Sequence, residues 1–251
     1  MKDFRLLNLD IETAPHLAAV WGLYDQNVAL NQLMKPGYTL CWAAKWHGEK
    51  KIYFDSILSG EKKMVKGIHD LMCQADAICH YNGLKFDIPT LNKEFLMLGM
   101  NPPSPSMQID LLRVARSRFK LASNKLDYVA QQLGLGKKVD HKGMELWLQC
   151  MSKDKAAWKI MERYNKQDVV LLEKVYDRLL PWIKNHPNLS LLSDKPACPN
   201  CGSKNSHQRG TAIVSTGKYQ RYQCAGCGTW YRGTEPMTPR KQTKSTKRIN
   251  L

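Results

Sequence analysis

Four acids and one phenol stand in this chain where chemistry, more than solubility, accounts for them. Residues 4–11 alternate as a strand does: Leu7, Leu9 and Ile11 share one face, Asn8, Asp10 and Glu12 the other. Asp10 and Glu12 therefore project the same way near the strand's end. Two carboxylates so close repel unless a cation lies between them, and hard oxygen donors suit Mg²⁺ or Mn²⁺. The competing reading ends the strand earlier and leaves Glu12-Thr13-Ala14-Pro15 as solvated loop. Further on, Trp158, Met161, Leu171, Val175 and Leu179 trace an apolar stripe at helical steps, and Tyr164 and Asp168 fall on that same stripe at i and i+4. A buried aspartate stays charged only with a partner, either a metal ion or a base from another element. Asp87 follows the apolar run 75–81 and the Asn82-Gly83 break, and precedes Ile88-Pro89. That is the place of a helix N-cap as much as of a metal ligand.

A second constellation lies near the C-terminus. Cys198-Pro-Asn-Cys201-Gly202 and Cys224-Ala-Gly-Cys227-Gly228 are two Cys-x-x-Cys knuckles, each followed by a glycine able to take the turn that aims backbone N–H groups at sulfur. Four thiolates suit one tetrahedral Zn²⁺ with no open position, a structural site. The intervening stretch fits a β-hairpin at 211–222. Tyr219, Arg221, Tyr222, Trp230, Tyr231 and Arg232 interleave rings with cations there, a pattern that stacks bases and holds phosphates. Trp230 is the ring expected in the small core. Cys41, Cys73, Cys79 and Cys150 sit in apolar surroundings and read as buried reduced thiols.

The elements that must position these groups follow from periodicity. Strands are expected at 38–46, 51–54, 75–81 and 107–111, and helices at 61–73, 88–98, 125–133, 143–150 and 153–180. Asp110 reads as the cap of the helix after it. Early strands and a helix-rich second half point to α/β with a mixed sheet. The expected organisation is a domain over 1–185, a linker over 186–195, a zinc ribbon over 196–233 and a basic, disordered tail over 234–251.

The 251 residues carry 38 Lys and Arg against 22 Asp and Glu, a net charge of +16. Such a surplus favours a polyanionic partner through counterion release. It is concentrated at the end: residues 194–251 hold eleven basic and two acidic side chains. No uncharged stretch is long enough for a membrane span, and Met1-Lys2-Asp3-Phe4-Arg5 does not open a secretory signal, so a cytoplasmic monomer is expected.

In order, Asp10-x-Glu12, Asn82-Gly-x-x-Phe-Asp87-x-Pro and Tyr164-x3-Asp168 resemble the DnaQ-like, or DEDD, 3′–5′ exonucleases of the ribonuclease H-like superfamily, in the subgroup bearing tyrosine. Lys125-Leu-Asp-Tyr-Val-Ala130 and Leu133-Gly-Leu-Gly136 are also similar to members of that family, phage and bacterial ones included. The resemblance covers about 4–183. It implies a ribonuclease H-like mixed sheet flanked by helices and a site for two Mg²⁺ or Mn²⁺ ions. Asp10 would bridge both ions, Glu12 and Asp168 would complete the first, Asp87 would serve the second, and Tyr164 would aim the attacking water. The implied activity is release of nucleoside 5′-monophosphates from single-stranded DNA, favoured over RNA, with replication or repair proteins as partners. Asn82, close to Asp87 in sequence, is read either as lining the site or as serving the turn. Two rivals stand beside it. One is an endonuclease or resolvase on the same fold, although a ribbon placed after Asp168 argues against its transposon type. The other is a catalytically silent nucleic-acid-binding adaptor.

Overall fold

Alternation in the first strand decides the layers. In the computed structural model, which describes residues 4–237, the first unit runs in order β1 (Leu6–Thr13), β2 (Leu17–Ala18), β3 (Leu33–Lys35), β4 (Thr39–Trp46), β5 (Tyr53–Ser56), α1 (Glu61–Met72), β6 (Ala77–His80), α2 (Asp87–Met97), β7 (Met107–Asp110), α3 (Leu111–Arg118), α4 (Leu126–Gln132), α5 (Met144–Met151) and α6 (Lys155–Leu179). The chain divides between Leu179 and Leu180, so residues 180–185, counted above with the first domain, group with the second unit. The main sheet has the order β5-β4-β1-β6-β7. β1 is antiparallel to β4 and parallel to β6; β7 continues parallel and β5 antiparallel. It is the mixed sheet expected, with β1 in the middle.

Leu7, Leu9 and Ile11 point to one side of this sheet, where Trp42, Trp46, Met64, Ile68, Leu91 and Phe95 complete a core with α1 and α2. The other side packs α5 and α6 through Leu40, Cys41, Leu146, Trp158, Met161 and Tyr164. Asn8, Asp10 and Glu12 belong to that second face by alternation. Strand β1 runs on to Thr13, so Glu12 lies in the sheet and not in a loop. Its pairing with β4 slips between Glu12 and Thr13, a bulge at the point where the acids are presented.

Turns fix the remaining positions. Asp110 Oδ1 accepts from the backbone N–H of Leu112 (3.0 Å) and Arg113 (3.4 Å), the cap expected, and also from Asn82 N–H at 3.0 Å. Asn82 takes a left-handed φ of 71°. At Gly83 a Cβ would stand 2.4 Å from the buried His80 ring, whose Nδ1 accepts the Gly83 N–H at 3.1 Å. Only glycine allows that approach. Cys73, expected to be buried, is exposed because it follows α1 at the solvent end, whereas Cys41, Cys79 and Cys150 are buried.

The second unit carries β8 (Ser206–Val214), β9 (Gly217–Cys224) and β10 (Trp230–Pro236) in one antiparallel sheet ordered β10-β9-β8. The segment expected as plain linker holds a short 3-10 turn at Leu189–Leu192, capped by Asn188 and tied by Leu189 N–H to Pro199 O at 2.8 Å. Thr234–Pro236, expected in the tail, lie in β10, which continues to Pro236 by pairing with β9. The rest of that expected tail, 238–251, lies outside the described residues. Among the described residues no helix is long and apolar enough to cross a membrane.

One consequence concerns stability. Asp110→Ala removes three hydrogen bonds from a buried carboxylate and leaves their donors unsatisfied, so we expect a loss of about 2–4 kcal/mol in denaturant unfolding. A loss below about 1 kcal/mol would show that the turn is held elsewhere.

Candidate active site

Helix α6 crosses the polar face of β1; its apolar stripe carries Tyr164 and Asp168 inward, Asn165 lies one step beside it, and all three are buried. Carboxylate oxygens of Asp10, Glu12 and Asp168 lie within 4.8 Å of one another. Asp10 is held by Asn165 Nδ2, which donates to its Oδ2 at 2.7 Å. Asp87 is adjacent but outside that triad. It is the first residue of α2 and does not cap it; instead its Oδ1 accepts the Ile11 N–H at 3.2 Å. The reason is topological. β6 pairs with β1 only as far as Asn8, so Ile11 lies past the end of that ladder, and the Asp87 carboxylate supplies its acceptor.

The cluster's electrostatics are those of acids lacking a counter-ion. Burial, then the charges of Glu12, Asp168 and Asp87, push Asp10 well above the usual carboxylate range. Burial and Asp168 raise Glu12 to about 8, and burial raises Asp87 to about 7. Asp168 is raised by burial and held back by Lys138. Lys138 Nζ donates to Asp168 Oδ2 at 2.5 Å and to Tyr164 Oη at 3.1 Å. Burial alone would lower this lysine, but Asp168, Tyr164 and Asp10 outweigh it and hold its ammonium charged. One ammonium against four carboxylates leaves the site short of positive charge.

A divalent ion fits this donor set. Asp168 Oδ1 is buried without a hydrogen-bond partner, an orphaned acceptor beside two further acids. Every donor is a hard oxygen, the class Mg²⁺ and Mn²⁺ prefer. Around the acids, His141, Trp147 and Tyr164 pack edge to face, with centroids 4.8–5.9 Å apart. The Trp147 side chain faces Glu12 and slightly favours its charged form.

Sequence reasoning missed Lys138, Asn165 and Trp147. Asn165 carried a readable signal, being an amide one step off the stripe and three residues before Asp168. Lys138 stood in Gly134-Leu135-Gly136-Lys137-Lys138, which resembles a phosphate loop without its spacing; nothing local ties it to α6. Asn82 serves the turn through its backbone, as described above.

In the second unit Cys198, Cys201, Cys224 and Cys227 converge, with Sγ pairs 198–227 and 201–224 both 3.6 Å apart. Gly202 and Gly228 take left-handed φ values of 71° and 81° and close the two knuckles. Burial pushes Cys198 up to about 11; at Cys224 the N–H groups of Cys227 and Gly226 outweigh burial and lower the thiol to about 7. The rings are arranged differently from expectation. Tyr219 is the buried one, with the Arg232 guanidinium 4.0 Å over its face, so it offers no free face to a base. Trp230 is exposed, because alternation along β10 turns it away from Tyr231; the Arg221 guanidinium stands 5.2 Å from its ring. Tyr222 and Tyr231 stack on each other at 5.3 Å, and Tyr231 Oη donates to Ser206 Oγ. Arg221 Nε is occupied by Arg209 O at 2.8 Å.

The raised acids carry a pH signature. With Glu12 near 8 and Asp87 near 7, the folded metal-free chain binds more protons than the unfolded chain from about pH 4 to about pH 8. Their contribution to stability is full below that window and is lost as pH rises through it. A divalent ion favours the charged forms and opposes the loss. The gain in melting temperature on adding Mg²⁺ or Mn²⁺ to the zinc-loaded chain, relative to no added divalent ion and without a chelator, should be larger near pH 8 than near pH 5. Equal gains at both would exclude these carboxylates as ligands.

Comparison with known proteins agrees with this architecture. A family model described as RNase_H superfamily matches residues 8–180. The family B DNA polymerase from the hyperthermophilic archaeon Pyrobaculum calidifontis is similar in structure, with a TM-score of 0.55 and 18% identity over 88% of this chain. The chain spans about a third of that polymerase's length, 32%. No curated protein matches the chain. A match across most of the first unit, on a fold that gathers its acids at the central strand and the long helix, makes this chain a member of the RNase_H superfamily.

Proposed function

We propose that the chain is a metal-dependent 3′–5′ exonuclease that releases nucleoside 5′-monophosphates from single-stranded nucleic acid, DNA in preference to RNA. The observation that carries this reading is the convergence of Asp10, Glu12 and Asp168 within 4.8 Å, above a buried Asp168 oxygen that has no other partner. Asp10, Glu12 and Asp168 are the residues that would hold the divalent ions, and Asp87 would serve the second. Such ions, when bound, stabilise the charge that builds on the attacking and leaving oxygens of a phosphodiester.

The chain's own groups do the positioning. Asn165 keeps Asp10 in one rotamer through the 2.7 Å bond to Oδ2. Burial and the Asp168 charge raise Tyr164 well above the usual phenol range, so it keeps its proton and acts by hydrogen bonding, not as a base. Its hydroxyl, already accepting from Lys138, orients the attacking water. Lys138 neutralises part of the acids' charge and limits their mutual repulsion.

The four thiols support one structural Zn²⁺. Thiolates at the zinc–sulfur distance around a tetrahedral ion stand ~3.8 Å apart, close to the 3.6 Å found. On this reading residues 186–195 connect a nuclease domain to a ribbon over 196–233, whose Arg221, Tyr222, Tyr231 and Arg232 hold the nucleic acid.

Two experiments test these assignments. On 5′-labelled and 3′-labelled single-stranded DNA and RNA in Mg²⁺ or Mn²⁺, wild type should give a 5′-labelled ladder and free 3′-terminal mononucleotide. Asp10→Asn and Asp168→Asn should each lose ~10³-fold or more in rate. Internal cuts lost in the same variants would move the protein to an endonuclease; intact binding without cleavage under any condition would leave an adaptor. Metal analysis of the purified chain should find one zinc per molecule, absent in Cys201→Ser, with residues 196–233 then cleaved much faster by a protease.

A further inference from the structure

We propose that the arm between β1 and β4, residues 15–37, is a base-stacking clamp for the strand end, with Trp21 and Tyr24 as its rings. The proposal rests on the reading of the site as one that acts on nucleic acid, and it assigns a contact surface to residues that lie outside the acid cluster and the ribbon.

The arm is built, not loose. β2 and β3 pair Leu17 with Lys35 and Ala18 with Leu33. Gln32 ties both sides: its backbone O accepts from Ala19 N–H at 2.9 Å, its Nε2 donates to Ala19 O at 3.1 Å, and its Oε1 accepts from Ala29 N–H at 2.8 Å. Beyond this ladder the chain turns its apolar side chains outward. Trp21 is 101% exposed and Tyr24 84%, with Leu23, Leu30 and Met34 exposed beside them. A single exposed ring is ordinary, but eight large apolar side chains exposed on one short excursion, Leu17, Val20 and Val28 being the other three, form a surface suited to binding.

Its root adjoins the candidate active site. The arm leaves β1 directly after Glu12 and Thr13, and Ala14 N–H to Tyr38 O, 2.8 Å, closes its base. Ala14 packs in the same apolar cluster as Tyr164 and Trp158. On the other side Lys93, from the helix that Asp87 opens, donates to Gly37 O at 3.2 Å. The arm is thus anchored both to the packing around Tyr164 and to α2.

Composition selects the occupant. Between Pro15 and Gly37 the single acid is Asp25, while Asn27 and Asn31 add amides and Lys35 a cation; Gln26 and Gln32 spend theirs on Tyr24, Ala19 and Ala29 within the arm. Lys35 and Lys93 stand at the root, and the two free rings lie toward the tip. A single strand offers a π-face at each base and a charge at each phosphate, so rings followed by cations is the order such a strand meets on its way to the acids.

The test uses the full chain with Trp21→Ala, Tyr24→Ala, their combination, and Trp21→Phe as the conservative change. A fluorescein-labelled single-stranded oligonucleotide with the zinc-loaded chain, Ca²⁺ replacing Mg²⁺ and Mn²⁺ and no chelator present, reads binding without cleavage. The 5′-labelled oligonucleotide and a p-nitrophenyl ester of thymidine 5′-monophosphate, both in Mn²⁺, read cleavage with and without neighbouring bases. We expect binding at least about fivefold weaker for each alanine variant and ~30-fold or more for the pair, with Trp21→Phe close to wild type. The oligonucleotide rate at limiting substrate should fall by a similar factor relative to the small ester's rate in the same variant. Oligonucleotide binding and rate unchanged in the double variant would overturn the clamp. So would a change confined to oligomeric state, which would make the arm a contact between copies. Wild type inert toward both substrates, yet binding the oligonucleotide through Trp21 and Tyr24, would remove the exonuclease reading and leave the clamp standing.

Discussion

The arrangement of the first unit turns on mutual repulsion among carboxylates brought together at low dielectric. Asp10, Glu12, Asp87 and Asp168 are each held above their ordinary range by burial, and Asp10 further by the others' charges. A fold gathering four such groups is less stable than one that scattered them, unless cations accompany them. Lys138 is the cation the chain supplies, and it reaches only part of the cluster, Asp168 directly and Tyr164 beside it. The remaining deficit and the orphaned Asp168 oxygen are one fact seen twice, as charge and as an unfilled acceptor.

The scaffold around that cluster meets the repulsion with hydrogen bonds that each serve two ends. Asp87 satisfies an N–H that β1 presents beyond the end of β6, so a group destined for charge also completes the sheet. Asn165 holds Asp10 from the helix side. One oxygen of Asp110 caps α3 and fixes the Asn82 turn, which sets where Asp87 begins its helix. None of these polar groups is spare, which ties the geometry of the acids to the integrity of the fold.

The second unit solves a different problem. Its buried apolar side chains, among the described residues, are few: Leu180, Ile183, Ala197 and Tyr219 beside Cys198 and Cys224. Its four thiols lie at the spacing of a tetrahedral site, with glycines in the left-handed region closing each knuckle. Metal binding supplies to such a module the folding free energy that a hydrophobic core supplies to a larger one.

How much of this was legible in the residues divides along one physical line. Period-two alternation placed Asp10 and Glu12 on one face of β1, period 3.6 placed Tyr164 and Asp168 on one face of α6, and the Cys-x-x-Cys-Gly spacing defined both knuckles, because each pattern is a direct image of local backbone geometry. What packs across large sequence separation left no such image. Lys138 meets Asp168 across thirty residues, Asp87 meets Ile11 across seventy-six, and neither pairing has a period to betray it. The Asp87 position carried a local cap signal that tertiary structure overrode, since the open end of the sheet was the more demanding partner. The exchange of Trp230 for Tyr219 as buried ring was likewise decided by cross-strand register, which composition does not encode. The sequence by itself determined which residues share a face; only the tertiary structure decided what each face meets, because those partners are chosen by sheet order and packing, not by distance along the chain.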